Sequence, residues 1–409
     1  MSRLAFLFWL LLVPALVGVL TGACVSLLVG GIERWGLHQL SHLPGIVPAL
    51  FAPLGLLLTW LIGKWVTRAQ RPSTSELYIT LYHQAGARLP LEQVPGRVLA
   101  TTATVGLGGA QGFESTSALV GASWSELVGR MFRRGLTVER RQALFAAGAS
   151  AGIAAVFSSP AAGALYGIEV PFKRRIDAPK LVPCVVAAVT SFAVRVWLIG
   201  EQRIINVSGM PTLDGLFLVG VLLVACLCGL GARLFATVEA GLQHLGRQFG
   251  PVVRALIGGC LLSGVAIAGY YVCGRWITFG SGYVASGWLQ AEPQLFGLLV
   301  LAFLIRAGAN LLTVFGGGGG GVFTSLACNG AFIGEIVART LNCDQTHTLA
   351  LFGAACFLGA GYRLPLACML FIAEATIGPM LTGVGLIAVA LAFGLMGDAS
   401  VSDAQTDEE

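Results

Sequence analysis

Charge is scarce in this chain. Of its 409 residues only 11% are Asp, Glu, Lys or Arg, against about 25% in soluble globular proteins, while 56% are hydrophobic. With a mean hydropathy of +0.81, that deficit sets aside a soluble enzyme or binding domain and describes a polytopic membrane protein. Polar sequence long enough to fold separately is also missing. Apolar blocks recur along nearly the whole length, and the one polar appendage is the acidic tail 398–409, expected to be disordered. The five histidines are scattered, and Cys24, Cys184, Cys226, Cys228, Cys260, Cys328, Cys356 and Cys368 lie in apolar stretches without ligand spacing. They read as packing residues, so no metal and no cofactor is expected. The net charge of +5 is modest and its arginines sit mostly in loops, a topology signal that gives no reason to invoke nucleic acid. The opening apolar run, residues 4–29, is too long for a signal peptide and lacks a small-residue cleavage site, which makes it a retained transmembrane helix.

Glycine, by contrast, is abundant, with 56 in the chain. Six are consecutive, Gly316 to Gly321, and run into Val322-Phe323-Thr324-Ser325 and an apolar stretch of helical character. Glycine lets backbone approach a ligand closely, and a helix starting there aims unpaired N–H groups and its positive dipole end at the same point. Inside a membrane those amides hold a small anion without a lysine or arginine, whose full charge would bind the ion too tightly for release. The alternative is that the glycines only allow close helix packing.

A second polar signal is Gly112-Phe113-Glu114-Ser115-Thr116-Ser117, ahead of the amphiphilic helix 118–132. A carboxylate at the mouth of a membrane helix is costly unless it is functional or paired; its plainer reading is an acidic cap on the helix dipole. From Ala143 to Phe172 the apolar sequence breaks at Ser158-Ser159-Pro160 into pieces too short to span the roughly 20 residues a perpendicular crossing needs. The same pattern returns in the final third. ALFAAGASAGIAAVFSSPAAGALYGIEV at 143–170 parallels ALFGAACFLGAGYRLPLACMLFIAEA at 350–375, and in each a glutamate, Glu169 or Glu374, follows the proline by nine positions. Each unit is preceded by a glycine-flanked helix start. The fold expected is an all-α membrane protein with an internal repeat of broken, tilted helices, its halves approximately 1–200 and 201–397 in a single transmembrane domain, with the site at the repeat interface.

With those residues assembled, the sequence resembles the CLC family of chloride channels and chloride/proton antiporters over nearly the whole chain, as a divergent prokaryotic-type member. GGGGGGVFTSLACNGAFIG resembles the family's Gly-Gly-Ile/Val-Phe-x-Pro signature, in which two amides bind the anion; these would be Val322 and Phe323, with Ser325 where proline is usual. GFESTSALVGA is similar to the Gly-Arg/Lys-Glu-Gly-Pro stretch when registered on Gly121-Ala122. That places the gating glutamate at Glu114 with amide neighbours Phe113 and Ser115, although the basic residue, second glycine and proline are missing; a rival register with Gln111 at the gate spoils the spacing to Pro160. GSGY at 280–283 and YRLPLACMLFIAE at 362–374 agree further along. The family's serine-bearing stretch is replaced by Arg71 to Ser75, leaving Ser73 as a weak candidate for the cytoplasmic side of the site. The proton-relay glutamate of the antiporters falls at Val170, and the tyrosine that closes the site falls near Ser402.

The resemblance implies an inverted repeat, a homodimer with one pathway per subunit in the lipid of a bacterial inner membrane, and chloride or a similar anion as the transported ion, with protons as possible co-substrate. Pro160 to Phe172 and Pro365 to Ala375 would contribute to the dimer interface. Without the cytoplasmic regulatory domains of some relatives, no nucleotide site is expected. Physically, an ionised Glu114 at a helix N-terminus is a tethered anion that competes with chloride, so protonation couples passage to pH. Val170 cannot titrate, which favours channel-like or loosely coupled conduction over strict antiport. An intramembrane enzyme using Glu114, Glu169 and Glu374 as acid/base groups is the remote alternative; it lacks an evident nucleophile beside a base. A carrier for cations or organic substrates is poorly matched to helix N-termini aimed at the site.

Overall fold

The structure is a computed structural model and describes residues 6–68, 75–84, 88–132, 135–200, 205–207, 212–291, 294–375 and 380–406. Among them no strand forms, only two isolated bridges. Numbering α-helices of ten or more residues, the first half holds α1 (Val13–Val29), α2 (Ala52–Ile62), α3 (Val94–Gly106), α4 (Glu114–Met131), α5 (Val138–Phe157), α6 (Pro160–Glu169) and α7 (Leu181–Ile199). The second holds α8 (Gly215–Gly246), α9 (Pro251–Cys273), α10 (Phe296–Phe315), α11 (Phe323–Leu341), α12 (Thr346–Gly361), α13 (Pro365–Ala375) and α14 (Met380–Met396).

Among the described residues six helical stretches are long and apolar enough to cross a membrane: Phe8–Ser41, Val47–Thr67, Ala178–Ile199, Gly215–Gly246, Pro251–Cys273 and Phe296–Phe315. Leu218, Leu222, Leu230 and Leu234 on α8, with Val185, Val189 and Trp197 on α7, are exposed apolar side chains that suit lipid contact. α4, α11, α12 and the C-terminal two thirds of α5 lie inside this shell and are largely buried, which is where broken helices are tolerated in a membrane protein.

Small residues set how closely the inner helices approach. A Cβ on Gly121 would lie 1.8 Å from the Gly148 carbonyl oxygen, and one on Gly148 2.1 Å from that of Gly121, so α4 and α5 cross backbone to backbone. The crossing recurs between Gly330 and Gly353, at 2.0 and 2.1 Å, joining α11 to α12. The two helix breaks match as well. Ser158 and Arg363 adopt left-handed backbone with φ of 54° and 56°, each two residues before the proline that opens the next helix. Such paired detail is that of an inverted internal repeat.

α6 and α13 finish one another. Glu169, the last residue of α6, accepts from the backbone N–H groups of Leu366 (2.9 Å) and Ala367 (2.8 Å) at the start of α13. Glu374 in turn accepts from Ala161 (2.7 Å), Ala162 (3.2 Å) and the Ser159 hydroxyl at the start of α6. Each carboxylate thus satisfies helix donors that would otherwise be orphaned in a low-dielectric setting. This occupies the two glutamates as helix caps, away from Glu114's junction, and packs the proline-started helices against each other within one chain.

The end of the chain departs from expectation. Residues 398–406, read as a disordered tail, are docked: Ser402 and Gln405 are buried, and Gln405 Nε2 donates to the carbonyls of Val170 and Tyr362, both at 2.8 Å. Val401 N–H donates to Gly361 O (2.9 Å) and Lys173 N–H to Thr406 O (3.2 Å). Composition suggested disorder because the segment is polar. Its ordering comes from carbonyls at the ends of α6 and α12 that need donors. At its edge, Arg174 beside the exposed Asp398 holds that carboxyl below the usual carboxylate range; as an exposed pair it adds little stability.

Candidate anion site

The two polar signals meet. Gly112 and Gly321 exchange backbone hydrogen bonds, N–H of each to carbonyl of the other, at 2.9 and 3.0 Å. This bridge sets the N-termini of α4 and α11 side by side: Phe113 and Val322 are the N-cap residues, and Glu114 and Phe323 the first helical ones. Neither N-cap side chain caps its helix, so capping of the first-turn amides falls to other groups. A side chain at either end of the bridge would press on the gate region and force the neighbouring side chain to move. A Cβ on Gly112 would stand 2.2 Å from Glu114 Oε1, and one on Gly321 2.4 Å from Ser115 Oγ.

Glu114 is buried, with 1% of its surface exposed. Its carboxylate reaches across to α11, where Oε1 accepts from the Thr324 hydroxyl and the Thr324 backbone N–H faces it; Oε2 has no hydrogen-bond partner. The side chain therefore lies at the start of a neighbouring helix, in the position a free anion would take. Phe323 closes the other side. Its ring meets those of Phe157, Tyr362 and Tyr166 at centroid distances of 5.1, 5.2 and 5.5 Å.

Side chains from α3 and α10 fix the two loops. Gly319 N–H donates to Thr104 Oγ1 (2.8 Å), which also bonds Thr59 Oγ1 (2.7 Å) on α2. Asn310 Nδ2 donates to Ala110 O (2.7 Å) and Ala110 N–H donates to Thr313 Oγ1 (3.1 Å), anchoring the strand that leads to Glu114. Arg306, fully buried on α10, gives Nη1 to Thr278 O and Nη2 to Gly280 O, both at 2.7 Å, and Nη2 also to Ser325 Oγ (3.3 Å). A buried guanidinium is tolerable because its Nη donors end on carbonyls and a hydroxyl, with Nε alone left without a partner among the described residues. In this way the GSGY loop is tied to Ser325, where the family signature carries proline.

Below the junction opens a cavity of about 830 Å³. Gly320, Gly321 and Val322 form its inner end with Gln111, Tyr362 and Ser402. Lys64, Arg68, Arg247 and Arg254 line it together with Glu76 and Glu239, a net cationic wall at the side that the positive-inside rule makes cytoplasmic.

Of the residues singled out from sequence, Phe113, Glu114, Ser115, Val322 and Phe323 are brought together. Ser402 lines the cavity beside Tyr362. Val170 stands apart as the buried C-cap of α6, its carbonyl accepting from Gln405. Ser73 lies outside the described residues. Thr324, Tyr362 and Arg306 escape the sequence reading. The repeat carried a signal for Thr324, which holds the position after Phe323 that Ser115 holds after Glu114, and Arg306 is a lone base within an apolar span. Gln111, weighed only as a rival gate, sits ahead of the helix start with its side chain in the cavity.

A many-helix membrane fold with two facing helix N-termini and a carboxylate between them is an arrangement that can hold a small anion. The family model for voltage gated chloride channels matches residues 54–397, and the chain belongs to that family, the CLC proteins. It is 27% identical to a chloride/fluoride channel protein of Pseudomonas syringae pv. tomato, over 97% of this chain and 86% of that one. It is 25% identical to the H(+)/Cl(-) exchange transporter ClcA of Yersinia pseudotuberculosis, over 90% and 80%. Among solved structures, a CLC-type fluoride/proton antiporter superposes with a TM-score of 0.85 at 21% identity, covering 99% of this chain and all of that one. A slow cyanobacterial Cl−/H+ antiporter gives 0.81 at 23%, covering 95% and 94%. At those identities the structures establish the fold. The protein is a multi-pass integral membrane protein of a family of anion channels and transporters.

Proposed function

We propose that this chain carries chloride or a similar small anion across the membrane through a pathway in each subunit of a homodimer, with Glu114 as the gate. The observation that carries the reading is the Glu114 carboxylate at the N-terminus of α11, next to the Val322 and Phe323 amides. While ionised it holds the anion's place; protonation or displacement by an incoming ion frees the path. Phe113 and Ser115 contribute amides from the α4 side, and the cationic cavity feeds ions to the junction from the basic face. Proton coupling is weak or absent in this reading, because the position that relays protons in the antiporters is the aliphatic, buried Val170.

Strict chloride/proton or fluoride/proton exchange is the second reading. It is favoured by the similarity to a chloride/proton exchange transporter and to a fluoride/proton antiporter, and by two carboxylates, Glu76 and Glu239, on the cavity wall. Reversal potentials of the purified protein in bilayers, under a pH gradient at fixed halide gradient, separate the two. A potential set by the halide alone supports channel-like passage, and one displaced by the pH gradient in fixed ratio supports exchange.

A further inference from the structure

The cavity holds a polar group for which the gate has no use. Gln111 is 3% exposed, and its Oε1 has no hydrogen-bond partner. It lies against the glycine strand: a Cβ on Gly318 would stand 2.9 Å from that oxygen, and one on Gly320 3.4 Å from Gln111 Cβ. The same cavity touches Gly321 and Val322, which lead to the Phe323 amide. A buried carboxamide left uncommitted costs stability unless a ligand or water completes it. Since the amide can turn about its last bond, its NH2 is available to whatever enters.

We propose that the Gln111 carboxamide contacts the permeating anion between the cavity and the Val322–Phe323 amides and sets which halide passes there. The inference rests on the pathway reading above and adds a side-chain ligand to a site otherwise built of backbone. The chemistry suits the task. An amide NH2 is a neutral donor that recognises an anion without the full charge that would trap it. The lysine and arginines that line the same cavity concentrate anions in it. Because a hydrogen bond to a charged acceptor strengthens as the acceptor becomes smaller and more basic, a donor here favours small halides over large ones.

The test uses full-length protein in proteoliposomes, with fluoride, chloride and bromide effluxes measured side by side for wild type, Gln111→Leu and Gln111→Asn. Leucine keeps the bulk and removes the donor. Its fluoride-to-bromide flux ratio is expected to fall severalfold, because both ions lose the hydrogen bond and only the difference between the two bonds alters the ratio. Asparagine keeps the amide on a shorter arm, so a shifted halide order with flux retained is expected. Unchanged halide order and concentration dependence in either variant that purifies with wild-type thermal stability would overturn the proposal. Failure of wild type to move any halide would instead overturn the pathway reading, so the two failures are distinguishable.

Discussion

Thr324→Val tests the gate at a side-chain contact that holds it across the repeat interface. The substitution keeps size and β-branching but removes the hydroxyl that donates to Glu114 Oε1. A hydrogen bond to a charged group contributes about 1.5–3 kcal/mol, which at about 1.4 kcal/mol per decade is a ten- to hundredfold change in the ratio of docked to undocked gate. With Oε2 already lacking a partner, no second side chain of the described residues makes good the loss. Halide flux at neutral pH should therefore rise in Thr324→Val, approaching that of Glu114→Gln, in which the competing charge is gone altogether. The pH dependence should differ between them. Glu114 still titrates in Thr324→Val, so acidification further increases its flux, whereas flux through Glu114→Gln is nearly flat with pH. Halide efflux from proteoliposomes at several external pH values reads both. If Glu114→Gln raises flux and Thr324→Val leaves it at the wild-type level, the Thr324 contact does not restrain the gate; if Glu114→Gln keeps the wild-type pH dependence, the gate is not Glu114.

Phe323→Pro removes one amide donor at the first helical position, where proline is compatible with helix geometry, and flux should fall more than tenfold in protein that still elutes as wild type; normal flux would show that the anion is not bound there. Glu169→Gln and Glu374→Gln each weaken a carboxylate cap at a buried helix start, and each should cost about 1–2 kcal/mol, read as a lowered unfolding temperature with halide order unchanged. Gln405→Ala should free the docked segment 398–406, seen as faster proteolysis there, since its amide joins the carbonyls of Val170 and Tyr362. Liposomes carrying a halide gradient and a pH probe should show little proton movement that survives a clamp of membrane voltage; movement in fixed ratio to halide would establish antiport and make Glu239 the next residue to change.

The fold was legible because the features that specify it repeat. A proline followed nine residues later by glutamate, twice, and a glycine-flanked helix start, twice, are visible in one sequence without geometry. What stayed hidden is how the repeats face each other. Nothing in the spacing says that Glu169 caps α13 while Glu374 caps α6, since the partners are some 200 positions apart and the acceptor of a helix cap has no signature beyond being a carboxylate. Thr324 is similar, an ordinary helix residue until the Gly112–Gly321 bridge brings Glu114 to it. The tail was misread because polar composition signals disorder only where no buried carbonyl awaits a donor.

The departures from the family signatures fall into a pattern once the geometry is known. Proline gives way to Ser325, and Arg306 reaches that hydroxyl from α10 while binding the Thr278 and Gly280 carbonyls, so a side-chain tether replaces a stiff backbone. The basic residue of the gate stretch gives way to Phe113, buried at 1% exposure, which removes a cation from beside the gate. Ser402 stands near the tyrosine position, and Tyr362, the C-cap of α12, lines the same cavity with its ring tilted against Phe323. Each exchange leaves the helix N-termini in place while changing the groups around them. What anion passage needs in such a design is the convergence of backbone donors, which the Gly112–Gly321 bridge sets, and a Cβ at either glycine would press on the Glu114 or Ser115 side chain beside it. Gly321→Ala should therefore damage flux more than any conservative change at Val322, and equal flux in Gly321→Ala and Val322→Ile would mean that the anion path does not run through the bridge.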